Sequence, residues 1–418
     1  MQRDSELTLR EIHGCVENLV CSIADIQKQA LVKVIEDDTP LNLRFITPCQ
    51  HSEDWTTDKN CSEYALTLPG HLGPGQEYIS VSYTWAHSQK IDESSPLPNY
   101  RIRDRATPDA PSRPIKCPPL VFHRAIGFAR ARNCPYVWID QECIYQDDAE
   151  DKERHLQVMH KIYKESRWTV AILSNEMPDT MLSALSLVTH KVHQKWNGMP
   201  QLQNWPADVD ISPLFRDFVK DSAKALASIL SDRWFRRAWT FHEKHCASAC
   251  VLLAPVNHRG DAAAQLPLDW IGNDVCFSFR SVRDMANLRT VLQPLDHEPW
   301  PLQYRFGLAP FLYEIDPSKP TAYGLLFEVM ERCDNLVCSD RLTILANVCS
   351  YRYKLNSTIL NDAKYSYSTC ILALIMANEV DHETGVQGIN ILELDLDKPI
   401  EEALRTMGVI KNDWNHLA

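Results

Sequence analysis

A chain of 418 residues, 44% apolar and 23% charged, is long enough for two or three units and needs no covalent staple for its core. A formal charge of -12 and a pI near 5.7 speak against wrapping nucleic acid or binding anionic membranes, so neither is expected as a partner. Fourteen cysteines without a CxxC pair follow a polar Met1–Arg10 that lacks the apolar region of a secretory leader. They read as reduced thiols of a cytoplasmic protein, and no apolar run is long enough to span a bilayer.

Leu7 to Lys33 reads as one or two helices, and Leu41, Leu43 and Phe45 alternate like a strand that Pro48 stops. Residues 54–75 read as irregular, with turn signals at Pro69-Gly70 and Gly73-Pro74-Gly75. Tyr78 to Trp85 is the first core strand; residues 86–119, rich in Pro, Ser, Asp and Arg, read as a surface insertion. Val121, Ala125, Phe128 and Ala129 predict a helix over Leu120 to Arg132, broken by Asn133-Cys134-Pro135. The strand Tyr136 to Asp140 then ends in an acid. After it come an acidic loop (Glu142, Asp147, Asp148, Glu150, Asp151), a helix with Leu156, Met159, Ile162 and Tyr163 on one face, and a strand from Trp168 to Leu173. Residues 176–213 read as a second insertion, Leu214 to Leu230 as helical, Trp234 to Cys246 as a short helix and Ala249 to Ala254 as a strand. Leu266 to Ser318 is weakly patterned, with a helix over Val282 to Leu292. Further helices are expected over 322–333, 340–351 and 368–379. Three units are expected: an N-terminal extension (1–75), a core (76–256) and a mainly helical C-terminal region (257–418).

Strands alternating with helices predict an α/β fold, a parallel sheet flanked by helices. Ligands of such sheets sit at the carboxyl ends of the strands, which puts Asp140 and its loop at a functional rim. Asp140, Asp147 and Asp148 suit a second carboxylate set or a divalent-metal site. The preferred reading is structural, with Asp140 fixing its loop and Asp147 or Asp148 capping the following helix. His242, Cys246 and Cys250 recur every four residues, but Cys250 falls past the expected helix end and a fourth zinc ligand is not evident, so no metal is assigned. No P-loop, GxGxxG or GxSxG is present.

Three segments in order carry a family resemblance: Ser80-Val81-Ser82-Tyr83-Thr84-Trp85, Tyr136 to Leu173, and Arg233 to Glu243, with a weaker echo at Cys338 to Tyr351. Together they resemble the HET domain, the fungal heterokaryon-incompatibility domain, whose architecture is similar to the TIR domain. The resemblance implies a TIR-like sheet, a role in non-self recognition and programmed cell death, and NAD as a substrate, with no bound cofactor. It makes Glu243, four residues after Trp239, the catalytic residue, and Ser82, Tyr83, Trp85, Asp140 and Trp239 the pocket. A carboxylate suits that chemistry, because breaking an N-glycosidic bond builds positive charge at the anomeric carbon. An aromatic such as Trp85 or Trp239 could stack on a ring. Ala86 and Ala238 stand where the pattern has Gly, and His242 where it has Gln. Two other readings stay open: a non-catalytic signalling module that self-associates or binds an incompatibility partner protein, and an accessory protein of a metabolic gene cluster.

Overall fold

The computed structural model describes residues 1, 4–33, 41–49, 62–73, 75–86, 96–177, 226–256, 268–279, 337–362, 365–379 and 390–407, with 182, 185–186, 266, 281–282, 326–327, 330 and 333–334 between them. In chain order the strands are β1 (Leu31–Lys33), β2 (Ile46–Pro48), β3 (Glu63–Leu66), β4 (Tyr78–Ser82), β5 (Arg101–Asp104), β6 (Arg113–Pro114), β7 (Tyr136–Trp138), β8 (Trp168–Ile172), β9 (Cys250–Pro255), β10 (Asp269–Ile271), β11 (Asp274–Ser278) and β12 (Tyr353–Leu355). Ten of them form one sheet in the order β10-β11-β9-β8-β4-β7-β2-β3-β5-β6.

The middle of this sheet is parallel: β7, β4, β8 and β9 run the same way. The helix Pro119–Ala131 connects β4 to β7, and the helix Ala149–Glu165 carries the chain back past β4 to β8. The winding direction therefore reverses at β4, and the carboxyl end of a strand at such a reversal is where open α/β sheets hold ligands. Expectation and structure part at the flanks. The sheet is mixed rather than parallel, because β2, β6, β10 and β11 pair antiparallel.

Alternation along the strands builds the layers. Ala171, Leu252 and Ala254 join one apolar cluster, whereas Val170, Ile172 and Leu253 join the other. On β4, Ile79 and Val81 are core, while the intervening Tyr78, Ser80 and Ser82 bond to Ile162, Ser166 and Glu243. One face of β4 is thus a polar row ending at Glu243.

Several boundaries differ from expectation. Leu43 and Phe45 are buried but precede β2, the strand itself being Ile46–Pro48. The region read as irregular before Gly75 holds β3, and the presumed insertion at 86–119 holds edge strands β5 and β6; residues 87–95 lie outside the described residues. Strand β7 stops at Trp138, and Asp140 instead opens the short helix Asp140–Cys143. Most of 176–213, the start of the 214–230 helix, and nearly all of the helices expected at 282–292 and 322–333 also lie outside the described residues. The weakly patterned stretch contains the β10–β11 hairpin, closed by Gly272-Asn273 with Gly272 at φ 61°.

The N-terminal and C-terminal segments pack together. The helix Val16–Ala30 lies against the helix Tyr367–Glu379, and β1 pairs antiparallel with β12. The helix Cys338–Val348 packs on both Ala149–Glu165 and Ala238–Cys246. No disulfide joins the described cysteines, and no helix among the described residues is long and apolar enough to cross a membrane.

Candidate functional site

Two carboxylates flank the carboxyl end of β4. Asp140 is half-buried two residues beyond β7, and Tyr83 and Trp85 reach it just past β4. Tyr83 donates its hydroxyl at 2.7 Å to Asp140 Oδ1, and Trp85 its indole N–H at 2.7 Å to Oδ2. The Gln141 amide adds a third donor at 2.7 Å to Oδ1. The sequence-based expectation that Asp140 and Trp85 share one rim therefore holds, as parallel strands require. Burial raises the Asp140 carboxyl above its ordinary range, while the Tyr83, Trp85 and Gln141 donors and the Arg237 charge act against it. Trp85 is 46% exposed, so its indole N–H is tied down while its ring faces solvent.

Glu243 comes from the helix Ala238–Cys246, which follows the one-turn helix Arg233–Arg236. Asp232 starts that turn by accepting from the Trp234 amide at 2.8 Å. Glu243 is 9% exposed and receives the Ser82 hydroxyl on Oε2 and the Tyr163 hydroxyl. Burial, with the Asp140 charge nearby, pushes its carboxyl up to about 7; the Ser82 donor, the Arg237 charge and, least, the Tyr163 donor restrain it. A buried carboxyl that titrates near neutrality can act as an acid, a base or a charge stabiliser.

Of the sequence-predicted residues, the fold gathers Ser82, Tyr83, Trp85, Asp140 and Glu243 at one rim. Trp239 makes its contacts elsewhere. Its indole N–H donates at 2.8 Å to Asp340 of the Cys338–Val348 helix, and its ring meets His242 edge-on at 5.5 Å. Three of the acids after Asp140 have structural roles. Asp148 caps its helix by accepting from the Glu150 and Asp151 amides, Glu142 takes Arg113 and the Lys116 and Cys117 amides, and Asp151 takes Arg44 and Arg154. His242 lies in the same helix as Cys246, whereas Cys250 opens β9.

Sequence reasoning missed Tyr163, Trp234 and Gln141; Arg237 was legible as a possible partner of Glu243. Tyr163 occupied a core position of an apolar helical stripe, and its hydroxyl was the sole hint of a second role. Trp234 donates its indole N–H at 2.8 Å to Ser82 Oγ, a contact between residues 152 positions apart that no local pattern encodes.

Residues 78–243 match the family model described as Heterokaryon incompatibility protein (HET). The chain is also 24% identical over 225 residues to "Heterokaryon incompatibility protein 6, OR allele" of Neurospora crassa. That alignment covers 48% of this chain and 31% of the relative, so the chain spans about a third of that protein's length. No solved structure matches.

Proposed function

We propose that this chain, which carries a HET domain over residues 78–243, serves in fungal heterokaryon incompatibility, and that the domain cleaves the nicotinamide–ribose bond of NAD to arrest growth or kill the cell. The observation that carries the chemical part is Glu243 at the carboxyl end of β4, where the sheet reverses its winding, with a carboxyl pushed up to about 7. Nicotinamide leaves as a neutral base from a cationic ring, so the reaction needs no strong general acid. It needs negative charge beside the anomeric carbon, which Glu243 supplies when ionised. The exposed Trp85 ring offers a stacking surface for a planar heterocycle, and Asp140 holds that ring in place through its indole N–H. Incubating concentrated wild-type protein with NAD should release nicotinamide, and Glu243→Gln should abolish the release without changing the fold. No release from the wild type would sink the hydrolase reading.

One observation favours a second reading. Glu243 is buried and its donors, Ser82 and Tyr163, come from inside the fold, an arrangement equally suited to fixing a helix in a module that self-associates or binds a partner protein. Full toxicity of the Glu243→Gln chain in fungal cells would favour that module.

A further inference from the structure

We infer that Tyr163 and Ser82, the latter locked by Trp234, are positioning residues that hold Glu243 as an aligned anion at the β4 rim; this rests on the hydrolase reading. The geometry is a directed set of hydrogen bonds. A serine hydroxyl can donate or accept, and its rotor decides which. Here Trp234, which can only donate, occupies a lone pair of Ser82 Oγ at 2.8 Å. The Ser82 proton is thereby free to point at Glu243 Oε2. Tyr163, on the Ala149–Glu165 helix, faces the same carboxylate, so Ser82 and Tyr163 reach Glu243 from different elements. The Tyr163 ring has little freedom: it is 1% exposed and meets Trp138 at 5.8 Å and His242 at 6.2 Å, both edge-on.

Among the described residues, few charged groups face Glu243. Asp140, across the rim, opposes its ionisation, and Arg237, at the start of the same helix, favours it. Tyr163 itself faces Glu243, Asp140 and Cys246, and burial holds its phenol well above the ordinary range, so it remains a donor throughout the working pH range. Next to Glu243, His242 is fully buried and has no hydrogen-bond partner on either ring nitrogen among the described residues. Burial depresses its basicity strongly, so it adds no counter-charge near neutrality. The Ser82 donor therefore does more to hold the charge than Arg237, and Tyr163 adds to both.

The test is the pH profile of nicotinamide release from pH 5 to 9. Tyr163→Phe deletes one donor to the anion and leaves the ring. Its acid limb should move up by about one pH unit, so turnover falls about tenfold at pH 6 and stays within about twofold of wild type at pH 9. Trp234→Phe should shift the limb the same way by less, because Ser82 keeps its hydroxyl but loses its lock. Ser82→Thr should hold the wild-type profile where Ser82→Ala does not. A Tyr163→Phe limb that coincides with wild type, or a loss equal at every pH, would overturn the inference. Should the wild type release no nicotinamide, the hydrolase reading fails by itself. Infrared titration of the Glu243 carboxyl, with Glu243→Gln as the blank, then decides on positioning. A midpoint higher in Tyr163→Phe than in wild type supports it, and an unmoved midpoint overturns it. Thermal melting of each variant at pH 8 separates these outcomes from loss of fold.

Discussion

Glu243 differs from the other buried acids in what compensates its charge. Glu142 and Asp151 each face an arginine at salt-bridge distance, and Glu142 also takes two backbone amides. Removing such a partner leaves an unpaired buried charge. Arg44→Ala, whose guanidinium is 4% exposed against Asp151, should therefore cost about 3 kcal/mol in urea unfolding. A loss below about 1 kcal/mol would show that Arg154 and the Tyr145 amide suffice. Glu243 instead has hydroxyl donors and a more distant Arg237. Its folded pKa, about 7 against an ordinary 4.5, lies above the unfolded value. The unfolded chain ionises first as pH rises, so stability present below pH 4.5 drains away up to about pH 7 and then levels off. The whole contribution is about 3 kcal/mol at most, and Asp140, shifted the same way, adds to it. Glu243→Gln should flatten most of the fall in melting temperature between pH 5 and 7.5. An identical pH dependence in wild type and variant would mean Glu243 does not titrate there.

Elements are joined here by contacts of modest strength at chosen points. The β10–β11 hairpin turns on Gly272, whose positive φ suits few residues with a Cβ, although nothing lies within 4 Å of where that atom would sit. Gly272→Ala should thus cost roughly 1–2 kcal/mol from backbone conformation alone, and Gly272→Asn clearly less. Equal losses for the two variants would point to a steric cause instead. In the helical layer, Trp239 ties the Glu243 helix to the Cys338–Val348 helix through Asp340. Trp239→Phe keeps the ring but strips Asp340 of that donor, which should destabilise by about 1–2 kcal/mol in a denaturant melt. No change in the midpoint would mean that water replaces the indole without loss. The helix break before β7 is local in origin: Asn133, at φ 50°, takes the left-handed conformation that asparagine tolerates better than most residues.

At the scale of the molecule, the segment beyond residue 336 completes the core. Leu342, Leu345, Ile371 and Leu372 belong to the same buried cluster as Ala171, Leu252, Trp234 and Phe241 of the central sheet and the Glu243 helix. Polar contacts reinforce that packing: Lys354 donates to the Gln157 carbonyl at 2.5 Å, and Asn347 to the Leu156 carbonyl at 3.1 Å. A chain cut after residue 336 should expose this apolar face, bind a hydrophobic dye strongly and aggregate on gel filtration. A monodisperse fragment that melts cooperatively would show that the matched domain stands alone.

The sequence by itself determined the parallel centre of the sheet, because apolar runs and helical stripes alternate from Tyr78 to Leu173 and repeat their period over several turns. It also determined the rim, since strands that run parallel present their carboxyl ends on one side, and Ser82, Tyr83, Trp85 and Asp140 all fall at such ends. Short, local signals were legible too, among them a cap by Asp147 or Asp148, of which the fold uses Asp148, and the break at Asn133. Tertiary structure alone decided the antiparallel flanks, because strands of two to five residues at a sheet edge carry too little alternation to separate them from loop. It also decided which acids are compensated and which are not. Arg44 with Asp151, Trp234 with Ser82, and Ser82 with Glu243 are partners set by folding across 107, 152 and 161 residues. Burial and pairing together set a carboxyl's charge, and neither exists until the chain has closed around it.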